Sequence, residues 1–293
     1  NNLIHFPYFI DKYDQKPPTR PIGNGLTEYV LKTGESILVN PDQYNMFLKT
    51  NKIDVKGKKS IDWLGVPLKI DNEKTIGSVV IQSYDKKKRF TEKDEKILIF
   101  VSDQIAMAIK RKMDNLEIEK KAYYDQLTGL TNKILFNDRL SQAMHYAKRN
   151  NYLMCVMFID LDNFKYVNDS MGHTAGDRLL KLVSKRFIKC LRKTDTVSRW
   201  GGDEFTIILP KVRSIKDISI LCDRILNKEL SNIVIDGQEL RITASIGITL
   251  YPQDGNDVDT LVKNADAAMY KAKDKGKNQF QFYKPSMNKE ILD

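Results

Sequence analysis

Long hydrophobic runs are missing from this chain of 293 residues. No segment approaches the roughly 20 apolar residues of a membrane-spanning helix. Cysteine is scarce: Cys155, Cys190 and Cys222 are an odd number without CxxC spacing. That excludes a disulfide framework or a zinc site and predicts a reducing, cytoplasmic setting. Histidine is as sparse, and His5, His145 and His173 are too dispersed for a metal cluster. No secretory signal opens the chain, which begins Asn1-Asn2 without methionine and is therefore expected to be a fragment of a longer one. Complete phosphate-loop and dinucleotide fingerprints are also lacking. Gly57-Lys58-Lys59-Ser60 has Lys52 where the first glycine belongs, and Gly23-Asn24-Gly25 has Glu28 in place of the third.

What is present is a globular composition, 41% hydrophobic and 29% charged, with length enough for two domains. The net charge of +10 fits either a nucleic-acid partner or an anionic small substrate. Its lysines are spread along the chain. The densest run, Lys86-Lys87-Lys88-Arg89, reads as a solvated loop, and no aromatic stacking platform accompanies the basic clusters, which counts against nucleic acid.

Periodicity divides the chain in two. A helix over LTEYVLKT, capped by Gly34, precedes strands over 61–70 and 76–84 joined by a turn at Asp71-Asn72-Glu73. Thr91 then caps a helix running to about Tyr124, with Ile97, Phe100, Val101, Ile105, Ala108 and Ile109 at helical spacing. Its second half is mostly charged, with sparse apolar points at Met113, Leu116 and Tyr123 or Tyr124. This suits either a two-stranded coiled coil between protomers or a solvent-bridging helix in a monomer. From Asp125 helices and strands alternate: helix 134–150, a wholly apolar strand 153–160, helix 176–191, a hairpin around 201–204, helix 217–230, strand 239–251 and helix 257–276. The expected fold is α/β (α+β), two domains each with a central, mostly antiparallel sheet flanked by helices, joined by a long helix.

The chemistry gathers around SRWGGDEFTIIL (198–209). Gly201 and Gly202 supply positive φ for a tight turn and let another molecule approach the backbone. Asp203 and Glu204 are either a wet acidic corner or the holders of a cation. Asp160, ending the most apolar strand, stands where α/β sheets bind ligands. If the hairpin lies beside that strand, Asp160 and Asp203 converge as hard oxygen ligands suited to Mg²⁺ and, through it, phosphates. Lys165, Asn168 and Asp177 follow; Asn and Asp together can read the edge of guanine. Lys273 and Lys277, four apart on one helix face, suit a triphosphate tail.

DQLTGLTNK (125–133), FIDLDNFKYVNDSMGHTAGD (158–177), RWGGDEF (199–205), ITASIGIT (242–249) and ADAAMYKAKDKGKN (265–278) together resemble the GGDEF domain of the diguanylate cyclase family. GLTEYVLKTGE, WLGVPLK and IGSVVIQSYDKKKRFTEKDEKIL resemble the C-terminal two-thirds of a GAF sensory domain, whose opening elements are expected upstream of Asn1. The resemblance divides the chain into a GAF-like domain (1–110), a signalling helix (111–124), a GGDEF domain (125–285) and a tail (286–293).

It implies that Asp160, Asp203 and the Leu161 carbonyl hold Mg²⁺ (or Mn²⁺), with Glu204 a further ligand; that Gly201 and Gly202 let the nucleotide pass; that Asn168 and Asp177 read guanine; and that Phe164, Lys165 and Lys273 bind phosphate. Lys277 stands where the family commonly has Arg and lacks the planar fork. The implied reaction condenses two GTP into cyclic di-GMP and pyrophosphate, with Asp203 assisting deprotonation of the attacking 3′-hydroxyl and two domains meeting as a homodimer. Arg192 and Asp195 match the family's RxxD product-inhibition site. The alternative is a non-catalytic receptor binding cyclic di-GMP through RxxD. The GAF-like domain takes an unknown small molecule or none: His5 alone does not argue for haem, and no cysteine lies there for bilin attachment.

Overall fold

The computed structural model describes residues 3–49, 58–71 and 74–287, and the chain forms two compact units, 1–117 and 118–293. Gly57, position 52, the Asn72-Glu73 part of the first hairpin and residues 288–293 of the tail lie outside the described residues.

The first unit opens with a short antiparallel pair, β1 (Leu3–Ile4) and β2 (Arg20–Pro21). Helix α1 (Leu26–Thr33) ends as expected on Gly34 at φ 68°. An antiparallel sheet β3-β4-β5 follows, from Ile37–Val39, Asp62–Ile70 and Lys74–Ser83, with α2 (Pro41–Lys49) between β3 and β4. Leu26, Val30, Val39, Tyr44 and Trp63 form its core. The basic run is not purely solvated. Lys86, Lys87 and Lys88 are exposed, but Arg89 Nε donates to buried Asp62 at 2.7 Å, and the Phe90 N–H donates to the same oxygen at 2.9 Å.

Helix α3 (Glu92–Tyr123) starts where Thr91 predicts. The Thr91 N–H donates to Asp94 at 2.8 Å and the Asp94 N–H to Thr91 Oγ1 at 3.4 Å, a reciprocal cap. Ser102 and Ala106 are buried, whereas Ile97, Phe100, Val101, Ile105 and Ile109 are all exposed.

The second unit is a three-layer sandwich on a five-stranded sheet ordered β12-β11-β6-β8-β7. The strands are β6 (Leu153–Asp162), β7 (Thr196–Gly201), β8 (Glu204–Val212), β11 (Thr243–Tyr251) and β12 (Gln279–Phe282). Only the β11–β12 pairing is parallel, so the expected mixed, mostly antiparallel architecture is present. The helices are α4 (Lys133–Asn150), α5 (Phe164–Met171), α6 (His173–Cys190), α7 (Ile215–Arg224) and α8 (Val258–Asp274). A small hairpin, β9 (Ile233–Ile235) and β10 (Gln238–Leu240), completes the unit.

Side-chain alternation along β6 sorts the core. Cys155, Met157, Ile159 and Leu161 pack with residues of α5, α6 and α7, while Met154, Val156 and Phe158 pack with residues of α4 and α8. All three cysteines are buried and free.

Several boundaries differ from expectation. β6 continues two residues past Asp160 to Asp162, because Thr243 and Ser245 hydroxyls donate to Asp162 at 2.7 and 2.8 Å and satisfy it on β11. Helix α6 begins at His173, and α7 gives way to a π turn at Ile225–Glu229. Strand 239–251 is interrupted after Leu240. Helix α8 stops at Asp274, so Lys277, at φ 63°, is not on a helix face with Lys273.

Candidate functional site: an acidic strand end facing a glycine turn

Asp160 lies on the same face of β6 as Phe158, the face toward α8, and Lys273 Nζ reaches its Oδ2 at 2.8 Å. Across the β6–β8 ladder its register partner is Glu204. The Leu161 N–H donates to the Asp203 carbonyl at 3.3 Å, which docks the glycine turn on the strand end. The hairpin is therefore beside the strand, as the carboxylate argument required. Its turn is formed by Gly202 and Asp203, between paired Gly201 and Glu204. Only Gly202 takes a positive φ, 48°. Gly201 does not, contrary to the expectation for both glycines; ladder pairing holds it extended.

Burial lifts the Asp160 carboxyl above the ordinary range, aided by Asp203 and Asp162 and opposed by Lys273. Burial also lifts Glu204, together with the negative charges of Asp160, Asp266 and Asp203. A buried and a half-buried carboxyl facing further acids are under-compensated by one lysine. Among the described residues no three His, Cys, Asp or Glu side chains are placed to hold a metal ion by themselves. This donor set nevertheless fits Mg²⁺, which is typically bound through one or two carboxylates with water and substrate phosphates completing the shell.

The other expected residues lie on α5, on α6 and in the loop after α8. Phe164 and Lys165 open α5, and Asn168 lies one turn on. Asp177 is exposed on the second turn of α6. Gly176 was not singled out from the sequence, yet a Cβ there would overlap Asn168 Oδ1 and approach the Phe164 ring at 3.1 Å. Its only sequence signal is the Gly beside Asp177. Lys277 Nζ donates to Asn163 Oδ1 at 2.7 Å, and the Asn278 N–H donates to Asp162 at 3.0 Å, so the loop after α8 is tied to the loop before α5. Arg192 and Asp195 sit apart from the acids, between α6 and β7. There the Arg192 N–H donates to Asp195 Oδ2 at 2.9 Å.

A second residue pair also escaped the sequence reading. Arg199 Nε and Nη2 donate to the Gly202 carbonyl at 2.9 and 2.7 Å, while its Nη1 donates to both carboxylate oxygens of Asp125 at 3.1 Å. Asp125 in turn accepts from the Thr128 N–H and hydroxyl at 2.8 and 2.6 Å. Burial raises the Asp125 carboxyl, but Thr128 and Arg199 outweigh it and hold it below the usual carboxylate range. The loop over 125–131 is thereby fastened to the signature turn. The clue was an Asp three residues before a Thr, an Asx-turn pattern.

A mixed α/β sandwich with an acid-bearing glycine turn at the end of its central strand defines a class of protein, and comparison with known proteins makes it specific. The chain belongs to the GGDEF family, matching "Diguanylate cyclase, GGDEF domain" over residues 122–279, with a GAF domain matched over 3–110. It is 44% identical over 174 residues to the bifunctional diguanylate cyclase/cyclic di-GMP phosphodiesterase MucR of Pseudomonas aeruginosa, covering 59% of this chain and 25% of that protein. It is 30% identical to diguanylate cyclase A of Treponema denticola, covering 85% of this chain and 67% of that one. The solved GGDEF domain of TpbB from Pseudomonas aeruginosa superposes with a TM-score of 0.56 at 34% identity, over 58% of this chain and 100% of that one. The chain spans about a quarter of the length of the first curated relatives it matches.

Proposed function

We propose that residues 125–285 are a diguanylate cyclase domain that condenses two GTP molecules into cyclic di-GMP and pyrophosphate, under the control of a GAF-like domain (1–110) acting through the helical segment 111–124, with a tail over 286–293. The observation that carries this reading is the pairing of Asp160 with Glu204 across β6 and β8, one residue from Asp203 and within reach of Lys273.

Asp160, Asp203, Glu204 and the Leu161 carbonyl would hold Mg²⁺ or Mn²⁺. When bound, the ion neutralises phosphate charge and lowers the pKa of the attacking 3′-hydroxyl. The chain's own residues do the rest. Asp177 accepts from the ring N–H and exocyclic amine of guanine and the Asn168 amide pairs beside it, with Gly176 keeping Asn168 close to α6. Phe164 and Lys165 present the backbone of the α5 start to the phosphates. Lys273 and Lys277 converge on the tail from α8 and the loop after it, Lys277 as a point charge. Gly201 and Gly202 leave the turn open for the nucleotide, and Asp203 accepts the hydroxyl proton. One domain holds one GTP, so two must face each other in a homodimer. Arg192 and Asp195 bind the product and inhibit.

The test is incubation of the chain with GTP and Mg²⁺, following pyrophosphate and cyclic di-GMP. We expect turnover, and a loss of at least ~10³-fold in Asp203→Ala with unchanged circular dichroism. A wild-type chain that binds cyclic di-GMP but releases no pyrophosphate is a receptor, and the cyclase reading falls.

A further inference from the structure

Asp162 ends β6 two residues beyond Asp160 and is only 4% exposed. A carboxylate so placed is ordinarily paired with a cation. Among the described residues, however, the ammonium of Lys273 pairs with Asp160, and no ion pair reaches Asp162. Three neutral donors hold it instead: the Thr243 and Ser245 hydroxyls of β11 and the Asn278 N–H at 3.0 Å. Thr243 and Asn278 share Oδ2, and Ser245 takes Oδ1. The hydroxyl bonds close the end of a sheet. The Asn278 bond does something else, because it fastens a segment lying between α8 and β12 that belongs to neither.

That segment is strained. Gly276, Lys277 and Asn278 follow one another at φ 109°, 63° and 48°, and the last two carry side chains. Left-handed backbone at consecutive non-glycine residues persists only where the surroundings hold it. The Lys277 N–H donates to the Ala272 carbonyl at 3.1 Å and its Nζ to Asn163 Oδ1 at 2.7 Å, while Asn278 is held by Asp162. Asn163 is itself left-handed, at φ 60°, and caps α5 directly before Phe164. Two neighbouring residues, Asp162 and Asn163, thus fix the main chain and the side chain of the Lys277 turn against the start of α5.

We propose that Asp162 is a positioning residue for the triphosphate: as a hydrogen-bond acceptor, and not as a charge or a cation ligand, it holds the turn that delivers Lys277 to the phosphates beside the opening of α5. The inference rests on the reading of Lys277 as a phosphate ligand. It also accounts for how a lysine serves there. An ammonium on a flexible stem has no fork to pre-orient it, so its order comes from the turn that carries it. Asp162→Asn keeps the role, because one amide oxygen accepts from Thr243 and Asn278 while the amide nitrogen donates to the Ser245 hydroxyl, which accepts as readily as it donates. Asp162→Ala removes it.

Calorimetric titration of the full chain with 3′-deoxy-GTP and Mg²⁺ tests it. This nucleotide lacks the attacking hydroxyl and cannot be condensed; GMP is the control ligand, and thermal melting first establishes that each variant is folded. Asp162→Ala should bind 3′-deoxy-GTP about tenfold more weakly and GMP as the wild type does, whereas Asp162→Asn should bind both within about threefold of the wild type. Adding Lys277→Ala to Asp162→Ala should cost little more, because the two act through one contact. Thr243→Val removes a donor to the same carboxylate oxygen; it should weaken 3′-deoxy-GTP about threefold and spare GMP, and it serves if Asp162→Ala does not fold. If Asp162→Asn loses as much as Asp162→Ala, the role is one of charge and the proposal falls. It falls equally if the alanine variant, or Thr243→Val in its stead, binds 3′-deoxy-GTP normally, if GMP weakens in step, or if the Asp162→Ala and Lys277→Ala losses multiply. If Lys277→Ala alone binds as the wild type does, Lys277 is no phosphate ligand and the proposal falls while the nucleotide site stands. A wild-type chain that binds neither nucleotide overturns the cyclase reading itself.

Discussion

At the scale of single residues the site is defined by carboxyls that are costly to ionise. Asp160 and Glu204 are pushed up by burial and by neighbouring acids, so the folded protein holds their protons more tightly than the unfolded chain does. Their contribution to stability is fully present below the unfolded carboxylate pKa and is lost as pH rises through the raised folded values. Asp125 works the other way: its contribution is present above the unfolded value and lost as pH falls. The expected result is that Asp160→Asn gains in thermal stability over the wild type as pH rises from acid to neutral. Mg²⁺ should raise the wild-type melting temperature at neutral pH, by an amount equivalent to about 1.4 kcal/mol at ten times its Kd, and the variant's by less. Equal Mg²⁺ responses would remove Asp160 from the cation site. In the absence of nucleotide, Mg²⁺ affinity should fall on acidification from a pH above the ordinary carboxylate range, because the cation must displace protons that Asp160 and Glu204 hold more tightly than free carboxylates do, measured by Mg²⁺ titration at a series of pH values.

At the scale of elements, the signature turn depends on a neighbour that the linear sequence hides. Arg199 spans two bonds to the Gly202 carbonyl and two to Asp125, and both side chains are mostly buried, at 13% and 22% exposure. Arg199→Ala leaves a half-buried carboxylate unpaired, which should cost about 2 kcal/mol in chemical denaturation. It should also lower kcat by loosening Asp203, with KM for GTP nearly unchanged. A variant that loses stability but keeps kcat would show the tie to be structural only.

Legibility in the sequence follows the same division. Asp160, Asp203 and Glu204 were readable because an apolar strand, two glycines and two acids announce themselves within a few positions. The same holds for α3, whose cap and period are local. Gly176 and the Asp125–Arg199 tie were not: each acts through a residue that folding, not spacing, brings near. The placement of Lys273 and Lys277 on one helix failed because helical spacing was extended past a Lys-Gly end where the backbone turns left-handed.

At the scale of the whole molecule, α3 presents Ile97, Phe100, Val101, Ile105 and Ile109 to solvent, with Phe100 at 64% exposure. Such a stripe is a face that a second copy of the chain would cover, and the proposed condensation of two GTP, if it runs between two facing domains, would need such a copy. Phe100→Glu should shift the chain toward monomer in sedimentation velocity at micromolar concentration, and turnover per chain should fall steeply on dilution. An unchanged dimer with unchanged turnover would move the interface elsewhere.

The grip of Arg199 also restricts how this protein can change over generations. Position 199 must donate to a main-chain carbonyl, so no acid can take its place, and position 125 must then remain an acceptor. Unlike an ordinary ion pair, whose signs can be exchanged between partners, this one has a fixed polarity imposed by the peptide group of Gly202.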